Sequence, residues 1–144
     1  VIFRFGGYVL TSRLVEGNFP NYKSIIPSNP HRLEINRTAF LSVIRRVGVC
    51  SSKANLVRLK ITGEKVVVSA QDMDYGISAQ EEIRCGYRGE DMEIGFKGAM
   101  LTEVLSSLDS DRVQVALQSK DKPAIFTPIS EDDVLALLMP MMIQ

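Results

Sequence analysis

Cysteine occurs only at Cys50 and Cys85, too few for a disulfide framework and consistent with ordinary buried thiols in a reducing cytoplasm. Histidine is scarcer still. The single one, His31, stands beside a linker proline with no cysteine, serine or carboxylate constellation in sequence reach, so it reads as a surface or capping residue rather than a general base. Charge of one sign is missing as well, since 17 Lys plus Arg balance 17 Asp plus Glu. A neutral average surface exerts no bulk attraction on nucleic acid or an anionic membrane, so any nucleic-acid role must come from local charge placement.

No apolar run approaches the roughly 20 residues of a membrane span, and Val1-Ile2-Phe3-Arg4-Phe5 lacks the layout of a signal peptide. A cytoplasmic protein without a membrane partner is expected, and its opening looks like a strand cut from its context. Glycine-rich phosphate loops and metal-ligand spacings are also missing. The adjacent carboxylates Glu81-Glu82 and Asp132-Asp133 would point to opposite faces of a strand, which makes them poor partners for shared acid and base chemistry. The expectation is a protein without catalytic residues, cofactor or metal.

What is present is a globular composition, 45% apolar and 24% charged, of a size natural for one compact domain. Val1 to Phe5 and Tyr8 to Leu14 are strand-like runs around Gly6-Gly7, a pair suited to the positive φ angles of a two-residue hairpin. The segment from Gly17 to Pro30 is broken by three prolines and reads as a linker closed by Pro27-Ser28-Asn29-Pro30. The domain proper is expected from about His31.

From there the pattern repeats. Leu33-Glu34-Ile35 followed by Ala39 to Ile44 is echoed by Met92-Glu93-Ile94 followed by Ala99 to Val104. Alternating strands come next, Leu56 to Thr62 in the first copy and Arg112 to Gln118 in the second. Two more follow each time: Lys65 to Ala70 and Ile77 to Tyr87, then Pro123 to Thr127 and Asp133 to Met139. Strand, helix, strand, strand, strand, given twice, implies an α+β domain of pseudo-twofold symmetry with two helices on one face of curved antiparallel sheet.

At about 100° per residue, Phe40, Val43, Ile44 and Val47 fall on the inner side of the first helix, and Thr38, Ser42, Arg45, Arg46 and Val49 on the outer. In the second, Met100, Leu101, Val104, Leu105 and Leu108 go inward, while Ala99, Thr102, Glu103, Ser106 and Ser107 go outward. Small polar faces with two arginines can attract a phosphate backbone diffusely without reading bases. An ordinary solvated helix face has the same composition.

The chain ends on Leu137-Leu138-Met139-Pro140-Met141-Met142-Ile143-Gln144, and an apolar end left free in water frays or aggregates. It is expected to complete an edge strand, a last core strand or one wall of a groove. Together with Phe19-Pro20-Asn21-Tyr22 and Met92-Glu93-Ile94-Gly95-Phe96, this ending resembles the C-terminal portion of the bacterial DNA polymerase III beta subunit family, the sliding clamps. The resemblance runs along essentially the whole chain. It implies that residues 1–28 are the end of a middle clamp domain plus an interdomain linker, that residues 29–144 are a complete C-terminal domain of DNA-clamp-like fold, and that the first domain and most of the second are missing.

The resemblance further implies a non-catalytic ring that encircles duplex DNA without sequence preference, with Arg45 and Arg46 facing the DNA, and gives the replicative polymerase its processivity. Partner proteins, the polymerase and clamp loader among them, would dock short apolar-anchored peptides in a groove. Carried over by position, the groove residues are Pro20, Ser24, Ile25, Ala54, Met100, Pro123 and Leu137, Leu138, Met139, Pro140, Met141 and Met142, and methionines suit a site that repacks around different ligands. Where well-studied enterobacterial relatives place arginine, aromatic or small polar residues, this chain has Ser24, Ala54, Met100, Asp121 and Met142, which leaves the groove's preferences open. Ring closure into a homodimer would use Gly48, Val49 and the edge strand bearing Gln80, Glu81 and Glu82, the fragment alone staying monomeric. Edge protection is the plainer role for Glu81-Glu82. A free-standing β-rich domain binding peptides or nucleic acid is the alternative from another class.

Overall fold

The computed structural model describes residues 1–129 and 134–143. The pair Asp132-Asp133, the start of the last expected strand at Asp133, and Gln144 lie outside the described residues. A hairpin comes first, β1 (Ile2–Phe5) against β2 (Tyr8–Thr11), with Phe5 opposite Tyr8. Of its two turn glycines only Gly6, at φ 56°, is left-handed. Both strands are exposed along their whole length. The following segment carries a single 3-10 turn, Tyr22–Ile25, before the sheet begins.

The repeat then unfolds as expected. Its first copy is β3 (His31–Asn36), α1 (Arg37–Gly48), β4 (Leu56–Thr62), β5 (Lys65–Asp72) and β6 (Ile77–Arg84). The short β7 (Gly86–Arg88) is followed by the second copy: β8 (Met92–Lys97), α2 (Gly98–Ser107), β9 (Arg112–Leu117), β10 (Ala124–Pro128) and β11 (Ala136–Leu138). The strands form antiparallel sheets of order β11-β10-β9-β3-β7 and β6-β5-β4-β8. Each copy thus lends its first strand to the other copy's sheet, β8 lying beside β4 with Ile94 opposite Leu59, and β3 beside β9 with Leu33 opposite Val115. This exchange makes the two copies one folding unit, because neither sheet is complete without the other half.

The single strand expected from Ile77 to Tyr87 is in fact two. The chain leaves one sheet after Arg84, donates the Cys85 N–H to Glu64 O at 2.8 Å, and joins the other sheet through β7 against β3. A period-two pattern cannot reveal such a switch, because alternation continues through it. The core between sheets and helices is apolar: Phe40, Phe96 and Phe126 are fully buried, the last two meeting edge to face at 6.2 Å, with Leu33, Ile35, Ile61, Ile94, Leu101 and Leu105 around them. On α1 the inward set Phe40, Val43, Ile44 and Val47 is buried as expected, joined by Leu41.

Three expectations need correction. Met100 was placed inward but is 48% exposed, since it lies before the stripe formed by Leu101 and Leu105. Cys50 and Cys85 are free and half-buried rather than buried, with burial raising the Cys85 thiol pKa. His31, expected as a surface or capping residue, is half-buried: it opens β3 and lies against the Tyr87 ring, centroids 6.4 Å apart. At the linker's end Asn29 is buried, its Nδ2 donating to Ala116 O at 2.8 Å and Pro123 O at 2.9 Å.

Candidate functional site

The two helices are fixed by different devices. Asn36 caps α1 through its own side chain, accepting from Ala39 N at 2.9 Å. Lys97 gives α2 no such cap, and the loop before β4 supplies it instead. Asn55, held at φ 55°, accepts from Ala99 N through Oδ1 at 2.6 Å and from Gly98 N through its carbonyl at 2.8 Å, while its Nδ2 donates to Ser51 Oγ at 2.9 Å. One residue therefore ties the loop bearing Ala54 to the start of the helix bearing Met100. At the other end of α2, Arg37 donates to the Leu105 carbonyl at 3.0 Å and to Ser110 O.

The tail divides by residue. Leu138 is buried and pairs with Ala124, so it is a core strand residue. Met139 and Met142 are exposed. Between them Met141 crosses β8, donating its N–H to Gly95 O at 2.8 Å. A side chain at Gly95 has no room there, since a Cβ would stand 2.8 Å from Leu56 Cδ1 and 3.0 Å from Met141 O.

Next to this crossing is an open cavity of about 410 Å³, whose lining combines apolar Ala54, Leu56, Met73, Met141 and Met142 with polar Ser52, Arg58, Gln71, Asp72 and Asp74. It brings together three of the expected groove residues, Ala54, Met141 and Met142. Leu137, Leu138, Met139, Pro140, Met100 and Pro123 are not part of its lining, and Pro20, Ser24 and Ile25 lie exposed on the linker, where Ser24 Oγ donates to Asn21 O at 2.7 Å. Asp121 is exposed and hydrogen-bonded by Ser119 Oγ, which lowers its carboxyl pKa. Sequence reading missed Leu56, Met73, Asp72 and Asp74. The available signal was Met73 and Tyr75 in the turn between β5 and β6, 81% and 76% exposed, because large apolar residues at a hairpin tip need a reason.

The expected DNA-facing and ring-closing residues meet at one place. Arg45 and Arg46 are exposed on the last turn of α1, which ends at Gly48, with Val49 as its C-terminal cap. Arg45 reaches Ser106 Oγ on α2 at 3.4 Å. Arg46 instead grips Glu81 on β6, which is an edge strand bearing Gln80, Glu81 and Glu82. Arg46's hydrogen bonds lower the Glu81 carboxyl pKa, and Glu81 raises that of the guanidinium in return. Glu82 points the other way, to Lys65 Nζ at 2.8 Å. Among the described residues no three His, Cys, Asp or Glu side chains are placed to hold a metal ion, and no helix is long and apolar enough to cross a membrane.

Comparison with known proteins agrees with this architecture throughout. The chain is 30% identical to the beta sliding clamp of Synechococcus elongatus over 99% of its length, and 33% identical to that of Treponema pallidum over 98%, spanning 39% of either relative. A DnaN sliding clamp from Bartonella birtlesii, solved bound to griselimycin, superposes with a TM-score of 0.93 at 32% identity, covering 99% of this chain and 38% of that one. The clamp of Pseudomonas aeruginosa, also bound to griselimycin, superposes with a TM-score of 0.89 at 26% identity over 94% of this chain and 37% of that one. The chain accordingly spans about two fifths of the length of the relatives it matches. The family model for the C-terminal domain of the DNA polymerase III beta subunit matches residues 23–142, and the chain belongs to that family.

Proposed function

We propose that this chain is the C-terminal part of a replication clamp, a non-catalytic cytoplasmic ring component that encircles duplex DNA and docks the replicative polymerase, the clamp loader and other partners through short apolar-anchored peptides. Residues 1–28 are the end of a middle domain with its linker, and residues 29–144 belong to the last domain. The buried Asn29 amide, bonded to Ala116 of β9 and to Pro123 just before β10, supports a boundary just before it.

The observation that carries the reading is the strand-exchanged double repeat with α1 and α2 side by side. It leaves small polar helix faces outward and an unpaired edge strand, β6, at the end of α1. The helix faces line the hole and β6 joins the next subunit. Glu81 and Glu103 offset Arg45 and Arg46 on this surface, so attraction for phosphate is weak and diffuse, which suits sliding rather than gripping. The groove is built from the tail crossing at Met141 and Met142, the Ala54 loop, and Met100 on α2, its remaining wall belonging to the middle domain.

The experiment is a loading assay with the intact protein, its upstream domains included. It should stay on closed circular duplex and be released when the circle is cut by a restriction enzyme. Retention that survives linearisation would contradict a ring held by topology.

A further inference from the structure

The cavity beside the tail crossing has a two-part lining that the apolar anchors of a docking peptide do not explain. Half of its lining is apolar: Ala54, Leu56, Met73, Met141 and Met142. The β5–β6 turn adds Asp72, which is buried, and the exposed Asp74, against one cation in the lining, Arg58, which is already engaged within the protein. Asp72 is committed to the turn, since its Oδ1 accepts from Asp74 N at 2.9 Å and Tyr75 N at 3.3 Å. Those bonds close the turn locally. They also leave Asp74 exposed, its carboxylate without a hydrogen bond or ion pair among the described residues.

We infer that this cavity is a charge-selective extension of the peptide groove, in which the β5–β6 turn receives a lysine or arginine flanking the apolar anchors of the docked peptide. The inference rests on the groove reading above and adds the partner's chemistry to it. The apolar half of the lining takes the aliphatic stem of such a side chain while its cationic head stays in water beside Asp74, the arrangement long basic side chains favour. Met73, exposed beside Asp74, closes over that stem. Screened by solvent, one such pairing sorts partners modestly rather than driving binding by itself.

The test uses the intact protein, its upstream domains included, and three fluorescein-labelled peptides that share the core Gly-Leu-Ser-Leu-Phe-Gly and carry two Lys, two Ser or two Glu at both ends. Fluorescence anisotropy at low salt should give the Lys-flanked peptide about threefold tighter binding than the Ser-flanked one, with the gap closing as salt screens it. Asp74→Asn should erase the advantage, and Asp74→Lys should pass it to the Glu-flanked peptide. Equal binding of Lys- and Ser-flanked peptides, or a Lys advantage that survives both Asp74 variants, would overturn the extension while leaving the groove intact. Failure of all three peptides to bind would overturn the groove and the extension together.

Discussion

Arg46 on α1 and Glu81 on the edge strand β6 form a two-point ion pair, Nε to Oε2 at 3.0 Å and Nη2 to Oε1 at 2.5 Å. Sequence reading assigned one to a DNA-facing surface and the other to a subunit edge. The pair makes these a single electrostatic unit, in which an exposed arginine of α1 is partly neutralised by a carboxylate of the edge strand β6. Exposed pairs of this kind add little to folding, so their importance lies in the charge each partner shows to its surroundings.

The sign of the pH effect follows from the lowered Glu81 pKa. A carboxyl titrating lower when folded contributes stability above its ordinary value near 4.3, and that contribution is lost as pH falls through the folded value. NMR titration should find Glu81 below the ordinary carboxylate range, and Arg46→Gln should return it there. In the same variant, binding to a linear duplex at low salt should weaken only slightly, because Glu81 already offsets Arg46.

Gly95 should prove essential to the tail rather than to the fold. Gly95→Ala sets a methyl against Leu56 and the Met141 carbonyl, an overpacking that costs about 1–3 kcal/mol. The tail can move more readily than β8. Hydrogen exchange should therefore show the Met141 amide losing protection while amides of β4 and β8 keep theirs.

Asn55 should cost more than its exposure suggests. Asn55→Ala removes the acceptor that caps α2 and leaves a left-handed φ on a residue that resists it, together about 1–3 kcal/mol in urea unfolding. Asn55→Gly keeps the backbone comfortable and should cost less. If the two were equally destabilising, backbone conformation would not contribute.

Much of this was legible in the sequence because the repeat fixes element order, and periodicity fixes which face of α1 is buried. The tail and the Phe19-Pro20 and Met92 to Phe96 segments carried the family. Long-range devices were not legible. The switch of sheets at Cys85 hides inside an unbroken alternation, and the α2 cap comes from Asn55, far away in sequence. Met100 misled because a methionine next to Leu101 looks apolar and inward, although the helix turn between them places it at the surface. The acidic β5–β6 tip was visible as Asp72-Met73-Asp74-Tyr75, but only the fold brings it beside Met141.

The central claim is that the tail serves a partner as well as the core, and ending the chain after Met139 tests it most directly. Leu138 stays in its strand opposite Ala124, whereas the Met141 crossing at Gly95 and the Met142 wall are lost. Anisotropy with the Ser-flanked peptide, alongside urea unfolding of the same sample, reads both consequences. The account predicts a folded domain with modestly reduced stability that no longer binds the peptide. Peptide binding unchanged by the truncation, or a domain that no longer folds, would contradict it.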